Sequence, residues 1–229
     1  SPTPFGFLAH AMEMMEQDPS RLVKERILVN VFRTCLATSP ADVIPAVFML
    51  LGRVADEQDG LELNIGGHTL VRCLSDALSI SVDGLKAKYR EIGDMGYAVD
   101  HSLSLPLSLP PLDLTIPCSH SNFALPLTRT VAASSKSHQR VLMAPRPSSI
   151  STVFRAFLNI AKTTGKGSIQ SKKQQITRIL RGCGTTAETK FCVRALISNV
   201  RIGANWRSVL PAVGKATVWH RCAALNVVP

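Results

Sequence analysis

Apolar residues recur at three- and four-residue steps through most of this chain, and no stretch of useful length alternates polar with apolar as a half-buried strand does. Residues 4 to 17 place Phe5, Leu8, Ala9, Met12 and Met15 on one helical face. Asp18-Pro19-Ser20 breaks that helix, and a second follows from about Ser20 to Ala37 with Leu22, Val23, Ile27, Val31 and Phe32 on its apolar side. Ser39-Pro40-Ala41-Asp42 restarts the chain as a helix, with proline near the first turn where its missing N–H costs no hydrogen bond. The spacing predicts further helices near His68 to Leu78, Val82 to Glu91, Ser151 to Thr163, Ser168 to Arg181, and Thr185 to Val200, the last closed by Gly203. The Met and aromatic stripes read as core, so the expected fold is all-α: a multi-helix domain interrupted by a low-complexity insertion.

The interruption begins near Asp100. The run from His101 to Leu112 is almost all Ser, Leu and Pro, and no helical or strand period survives its prolines. Ser, Leu, Pro and Phe are the residues that all-pyrimidine codons specify. Residues 100–132 are therefore expected to be an insertion of retained-intron or gene-model origin. The helical pattern divides around it into a first part at 1–99 and a second at 133–216, with 217–229 read as an unrelated tail.

These two parts differ sharply in charge. The first 132 residues hold 10 Lys or Arg against 15 Asp or Glu; the last 97 hold 16 against one, Glu188. A formal charge of +10 thus divides into −5 in front and +15 behind, the composition of a protein whose second half meets a polyanion. With 229 residues and 45% apolar content the chain can build a core, which excludes disorder throughout. Eight Phe, two Trp and two Tyr are too few for an aromatic base-stacking platform.

Other classes are excluded residue by residue. Cysteines 35, 73, 118, 183, 192 and 222 form no CxxC pair and read as reduced, small hydrophobes. His220 and Cys222 would give two ligands at one terminus, not the four a zinc site needs, so no metal site is expected. The apolar run Val43 to Leu51 contains Pro45 and is too short to span a bilayer, so no membrane partner is expected. The chain opens on Ser1 without a charged and then apolar leader, which reads as a soluble intracellular protein and a fragment of a longer one. No GxSxG, no HExxH and no carboxylate pair joined to a histidine is present, so no catalytic residue is assigned.

Two segments carry candidate binding chemistry. Thr164-Gly165-Lys166-Gly167-Ser168 precedes a helix bearing Lys172 and Lys173, with Ser168 as the expected N-cap. Two glycines let a ligand approach the backbone, and helix-start N–H groups suit an anion. The spacing is not that of a Walker P-loop, since Gly167 follows Lys166 and Ile160 stands where the first glycine belongs. In the second segment Lys190, Arg194 and Arg201 fall within about 40° of one another at helical spacing, a cationic stripe. With Glu188 the only acidic residue nearby in sequence, the stripe is expected to lie free of partners.

Phe191-Cys-Val-Arg194-Ala-Leu196-Ile-Ser-Asn199-Val-Arg201-Ile202-Gly203 resembles the "aKFlvR-L-gklRIG" segment of the N-terminal DNA-binding domain of eukaryotic and archaeal ATP-dependent DNA ligases. The stretch from Phe154-Arg-Ala-Phe157 to Lys173 resembles the helix, Gly/Ser loop and Lys-Lys helix of the same domain. Gly60-Leu-Glu-Leu63-Asn-Ile-Gly66 and Gly93-Asp94-Met-Gly96 resemble its "G-x-E-L-GIG" and "GDlG" segments, and Pro4-Phe5 and Ser20-Arg-Leu22 fall at family positions. The likeness spans about residues 4–99 and 133–216. It departs after Gly203, where the family continues Leu-Ala-Glu and this chain has Ala204-Asn205-Trp206-Arg207.

The resemblance implies an all-helical domain that grips nicked double-stranded DNA across the minor groove through phosphates, in replication, repair and recombination. It implies a nuclear protein, with an organellar form as the second location. The residues it points to are Thr164, Gly165, Gly167, Ser168, Lys172, Arg194, Asn199, Arg201 and Gly203; Lys166, Lys173, Lys190 and Arg207 join them as neighbouring cations. ATP and Mg²⁺ serve the full-length ligase, and no cofactor is expected in this chain. The nucleophilic lysine of Lys-x-Asp-Gly is absent: Asp59-Gly60 and Asp83-Gly84 are preceded two residues earlier by Glu57 and Ser81. The chain alone is therefore expected to bind as a monomer and not to catalyse, and a sliding clamp would be met only through a tail ahead of this domain. The rival readings are a stand-alone, non-enzymatic DNA binder and a helical protein-interaction module.

Overall fold

In the computed structural model, which describes residues 1–104 and 148–224, the apolar faces of these two segments pack against one another. α1 (Phe5–Gln17) buries Phe5, Leu8, Ala9, Met12 and Met15 against α2 (Arg21–Thr38), α7 (Ile150–Lys162) and α9 (Thr186–Leu196). A 3-10 turn, Pro40–Asp42, leads into α3 (Val43–Leu50), which lies on α7. α4 (Gly67–Leu78) packs along α8 (Ser168–Arg181), and α6 (Met95–Ser104) along α9. α5 (Val82–Ile92) bridges α4 and α6, and α10 (Trp206–Ala224) lies along α2. Among the described residues the secondary structure is helical apart from the isolated bridge between Pro4 and Ser149.

The chain start is tied to the segment that begins at Ser148. Phe5 N donates to Ser148 O at 2.7 Å and Ile150 N to Thr3 O at 3.0 Å. Asp42, 1% exposed, accepts from Thr3 N at 2.8 Å and from the Ser151 N–H at 3.3 Å, and its Oδ1 also pairs with the Ser151 hydroxyl. Burial pushes this carboxyl up, but the hydrogen bonds from Ser151 and Thr3 outweigh it and hold it below its ordinary value. One core thus depends on both parts of the sequence.

The structure departs from the sequence reading in four places. Met95–Ser104 is helical, so the chain stays regular through Asp100 and the first residues of the expected insertion; the rest of that stretch lies outside the described residues. α10 runs unbroken across Ala216 to Ala224, where the sequence suggests a separate tail, and tolerates Pro211 in its exposed second turn. Leu22 is 68% exposed, because α2 turns Leu28, Val31, Phe32 and Cys35 inward instead. α9 ends at Leu196 and not at Val200: Ser198 takes the left-handed conformation (φ +59°), and Asn199 N caps the Arg194 carbonyl at 2.9 Å.

Candidate nucleic-acid interface

Thr163 ends α7, and the next four residues, Thr164 to Gly167, are exposed. Gly165 (φ +93°) and Gly167 (φ +87°) both need the left-handed backbone that glycine adopts without strain. Gly167, not Ser168, is the N-cap of α8, and Ser168 is its first helical residue without a capping side-chain bond. The turn satisfies much of its own backbone, since Ser168 N donates to Gly165 O and both Gln170 N and Ser171 N to Gly167 O. Fewer helix-start donors are therefore available than the sequence suggests, while the Lys166 side chain remains exposed. Lys172 is half-buried and donates to Leu63 O at 2.8 Å, fastening α8 to the loop between α3 and α4. Lys173, also half-buried, lies beside Cys73 of α4.

That loop and the end of α9 face each other across a cleft of about 730 Å³ lined by Gly52, Leu63, Asn64, Leu196 and Ser198 among others. The cleft brings the α8 anchor and the segment after α9 to the same region. Left-handed residues cluster around it: Gly52, Gly60, Asn64 and Ser198. At Gly52 an added Cβ would come within 2.9 Å of Val200, so this glycine also serves a close approach.

The cationic stripe expected on α9 is not at the surface. Lys190 is 3% and Arg194 1% exposed. Lys190 Nζ stands 3.0 Å from Glu16 and 3.5 Å from Glu13, with the Tyr97 and Phe191 rings each 5.0 Å away. Arg194 Nη2 lies 2.7 Å from Glu16 and 3.0 Å from Asp94, and its Nη1 donates to Val200 O at 3.4 Å. The carboxylates come from α1 and from the turn before α6, 100 to 178 residues away in sequence, which local charge counting cannot see. Burial alone would raise the Glu16 and Asp94 carboxyls; Arg194 in both cases, with Lys190 at Glu16, reverses this and holds them below their ordinary values. Burial opposes the charge of Arg194 as well, and hydrogen bonds from Glu16 and Asp94 more than compensate, raising its pKa.

Arg201 lies beyond the helix and so outside the stripe. It is left-handed (φ +58°) and its side chain is 46% exposed, with Nη1 3.2 Å from Asp94 and Nη2 donating to Gly93 O at 3.1 Å. Asn199, Gly203 and Arg207 are exposed. Lys24, on α2, carries no signal in the sequence, yet its Nζ donates to Ile202 O at 3.1 Å. No periodicity could link it to a residue 178 positions on. Glu13, Glu16 and Asp94 of the acidic half thus turn toward Lys190, Arg194 and Arg201 of the basic half.

The family described as DNA ligase N terminus matches residues 4–122 and 128–214. DNA ligase 6 of Arabidopsis thaliana is 31% identical over 219 residues, which is 96% of this chain and 13% of that protein. DNA ligase 1 of Dictyostelium discoideum is 30% identical over 94% of this chain and 15% of its own length. DNA ligase 1 of Saccharomyces cerevisiae is 28% identical over 95% and 24%. The chain thus spans less than a quarter of each of these relatives. With the all-helical fold and the ordered motifs from Pro4 to Gly203, these matches place the chain in the N-terminal domain family of the eukaryotic and archaeal ATP-dependent DNA ligases.

Proposed function

We propose that this chain binds nicked duplex DNA through its phosphates and holds it for adenylation and sealing by residues outside this sequence. The observation that carries this reading is the exposure of Lys166 within Thr164–Ser168 and of Asn199, Arg201, Gly203 and Arg207 within Asn199–Arg207, with Arg201 held 3.2 Å from Asp94 yet 46% exposed. Lys166, Arg201 and Arg207 neutralise phosphates, and Gly165, Gly167 and Gly203 present bare backbone to the sugar-phosphate chain. Thr164, Ser168 and Asn199 supply neutral polar contacts. Lys172 and Lys173 add field from the first turns of α8, while Lys190 and Arg194 act from inside the fold by fixing α9. Contacts of this type carry no base identity, as suits a protein that must act on any sequence.

The residues for ATP chemistry do not fit here, since no lysine stands two positions ahead of either Asp-Gly pair. The part proposed for this chain is accordingly binding and positioning, with replication, repair and recombination in the nucleus as the setting. Neutralising Lys166, Arg201 and Arg207 to alanine tests the reading. The triple variant should lose affinity equally on unrelated duplexes, with the salt slope shallower by about 2.7, near 0.9 for each phosphate no longer neutralised. Unchanged affinity in a variant that melts like the parent would refute it.

A further inference from the structure

The Arg201–Gly203 segment has two carbonyls held from behind by cations of other elements. Arg194, from α9, donates to Val200 O at 3.4 Å, and Lys24, from α2, donates to Ile202 O at 3.1 Å. Every peptide bond among the described residues is trans. In a trans peptide the N–H points opposite to the C=O of the same unit. Fixing the Val200 carbonyl inward therefore turns the Arg201 N–H outward, and fixing the Ile202 carbonyl does the same for the Gly203 N–H. Among the described residues neither N–H donates to another group of the chain. Arg201 and Gly203 are both exposed, and both are left-handed at φ +58° and +71°. Two outward amides, with Ile202 between them and an arginine side chain beside them, form a small anion seat made of backbone donors.

From this geometry we infer that Lys24 is a positioning residue, which holds the Ile202 carbonyl so that the Arg201 and Gly203 amides converge on one phosphate oxygen group. One of its ammonium donors is engaged by that carbonyl. The approach is tight: a Cβ at Gly203 would stand 2.8 Å from Lys24 Nζ, so the ammonium fills the space that a side chain would need. The acidic half of the chain thus sets the shape of the basic half's loop through Lys24 of α2 and, by way of Asp94, through the guanidinium of Arg201. For its DNA consequence, this inference rests on the phosphate-binding function proposed above.

The test separates a cation that shapes the loop from one that touches DNA. Lys24→Met, which keeps the stem and removes the donor, is measured on nicked duplex across a salt series beside the parent chain and Lys24→Arg. The expected result is about a tenfold weaker complex, the scale of one hydrogen bond to a charged group. The slope of log K against log salt should stay unchanged, and Lys24→Arg should restore most of the affinity. A slope shallower by about 0.9 would show that Lys24 itself neutralises a phosphate, and would overturn the positioning role. Unchanged affinity would overturn it too. The free proteins are compared by amide NMR in parallel, so that the inference does not depend on DNA. Lys24→Met should shift the Arg201 and Gly203 amide signals. Amide signals that stay in place refute the positioning role by themselves. Shifted signals in a chain whose parent ignores DNA would uphold the positioning and sink the DNA reading instead.

Discussion

Replacing Arg194 by methionine removes the group on which the buried charge cluster converges. Its guanidinium serves Glu16 at 2.7 Å, Asp94 at 3.0 Å and the Val200 carbonyl at 3.4 Å, at 1% exposure. Breaking a buried ion pair by deleting one partner costs about 3–5 kcal/mol, because the other partner is left buried and uncompensated. Two cations remain here: Lys190 stays 3.0 Å from Glu16 and Arg201 3.2 Å from Asp94. The cost should therefore fall at the low end, about 3 kcal/mol, or roughly 6–12 °C in melting temperature for a domain of this size. The pH dependence supplies a sharper check. In the parent, Glu16 and Asp94 have folded pKa values below the ordinary ones, so their stabilisation is complete above the unfolded pKa range near 4. It is lost as pH falls through the lower, folded values. In Arg194→Met the largest cause of that lowering is gone, so the stability gap should be widest near pH 7 and should narrow below pH 4. Urea unfolding at several pH values reads both quantities. A deficit under about 1 kcal/mol, or one that does not change with pH, would refute the cluster as a source of stability.

Arg201→Ala should weaken DNA binding equally on unrelated sequences and make the salt slope shallower by about 0.9, as read by fluorescence anisotropy; a loss confined to one sequence would reveal base readout. Gly167→Ala has open space for its Cβ but a φ of +87°, so denaturant unfolding should show a loss of about 1 kcal/mol from backbone strain alone. Trp219→Ala should lower stability by about 1 kcal/mol, since the Arg33 guanidinium lies 5.3 Å from its ring; no change would mean that the end of α10 contributes nothing to the fold. Incubation with ATP and Mg²⁺ should leave no AMP on the denatured chain, and retained label would overturn the assignment of binding without catalysis.

The helices legible in the sequence are those whose apolar spacing is bounded by Pro, Gly or Ser. α1, α2, α4, α5, α7 and α8 fall within a residue or two of the expected limits, because one solvent-facing and one buried side leave a clear period. α6 is hidden because its last residues merge into the Ser/Leu/Pro-rich run, and α10 because Pro211 stands inside it. Spacing places Lys190 and Arg194 on one face correctly, but it carries no information about what that face meets. Glu13, Glu16 and Asp94 arrive from α1 and the turn before α6, far away in sequence, and they turn an expected surface stripe into a buried ionic cluster. The exposed Thr164–Gly167 loop is legible because its glycines and lysine act locally. The Lys24 contact is not, since two residues 178 apart share nothing in sequence.

The most direct measurement is the affinity of this chain for nicked duplex DNA of two unrelated sequences across a salt series. Binding should be equal on both sequences, with a log–log slope of about −3 or steeper from Lys166, Arg201, Arg207 and the α8 lysines. A chain that melts cooperatively yet fails to bind either duplex at low salt would contradict the account.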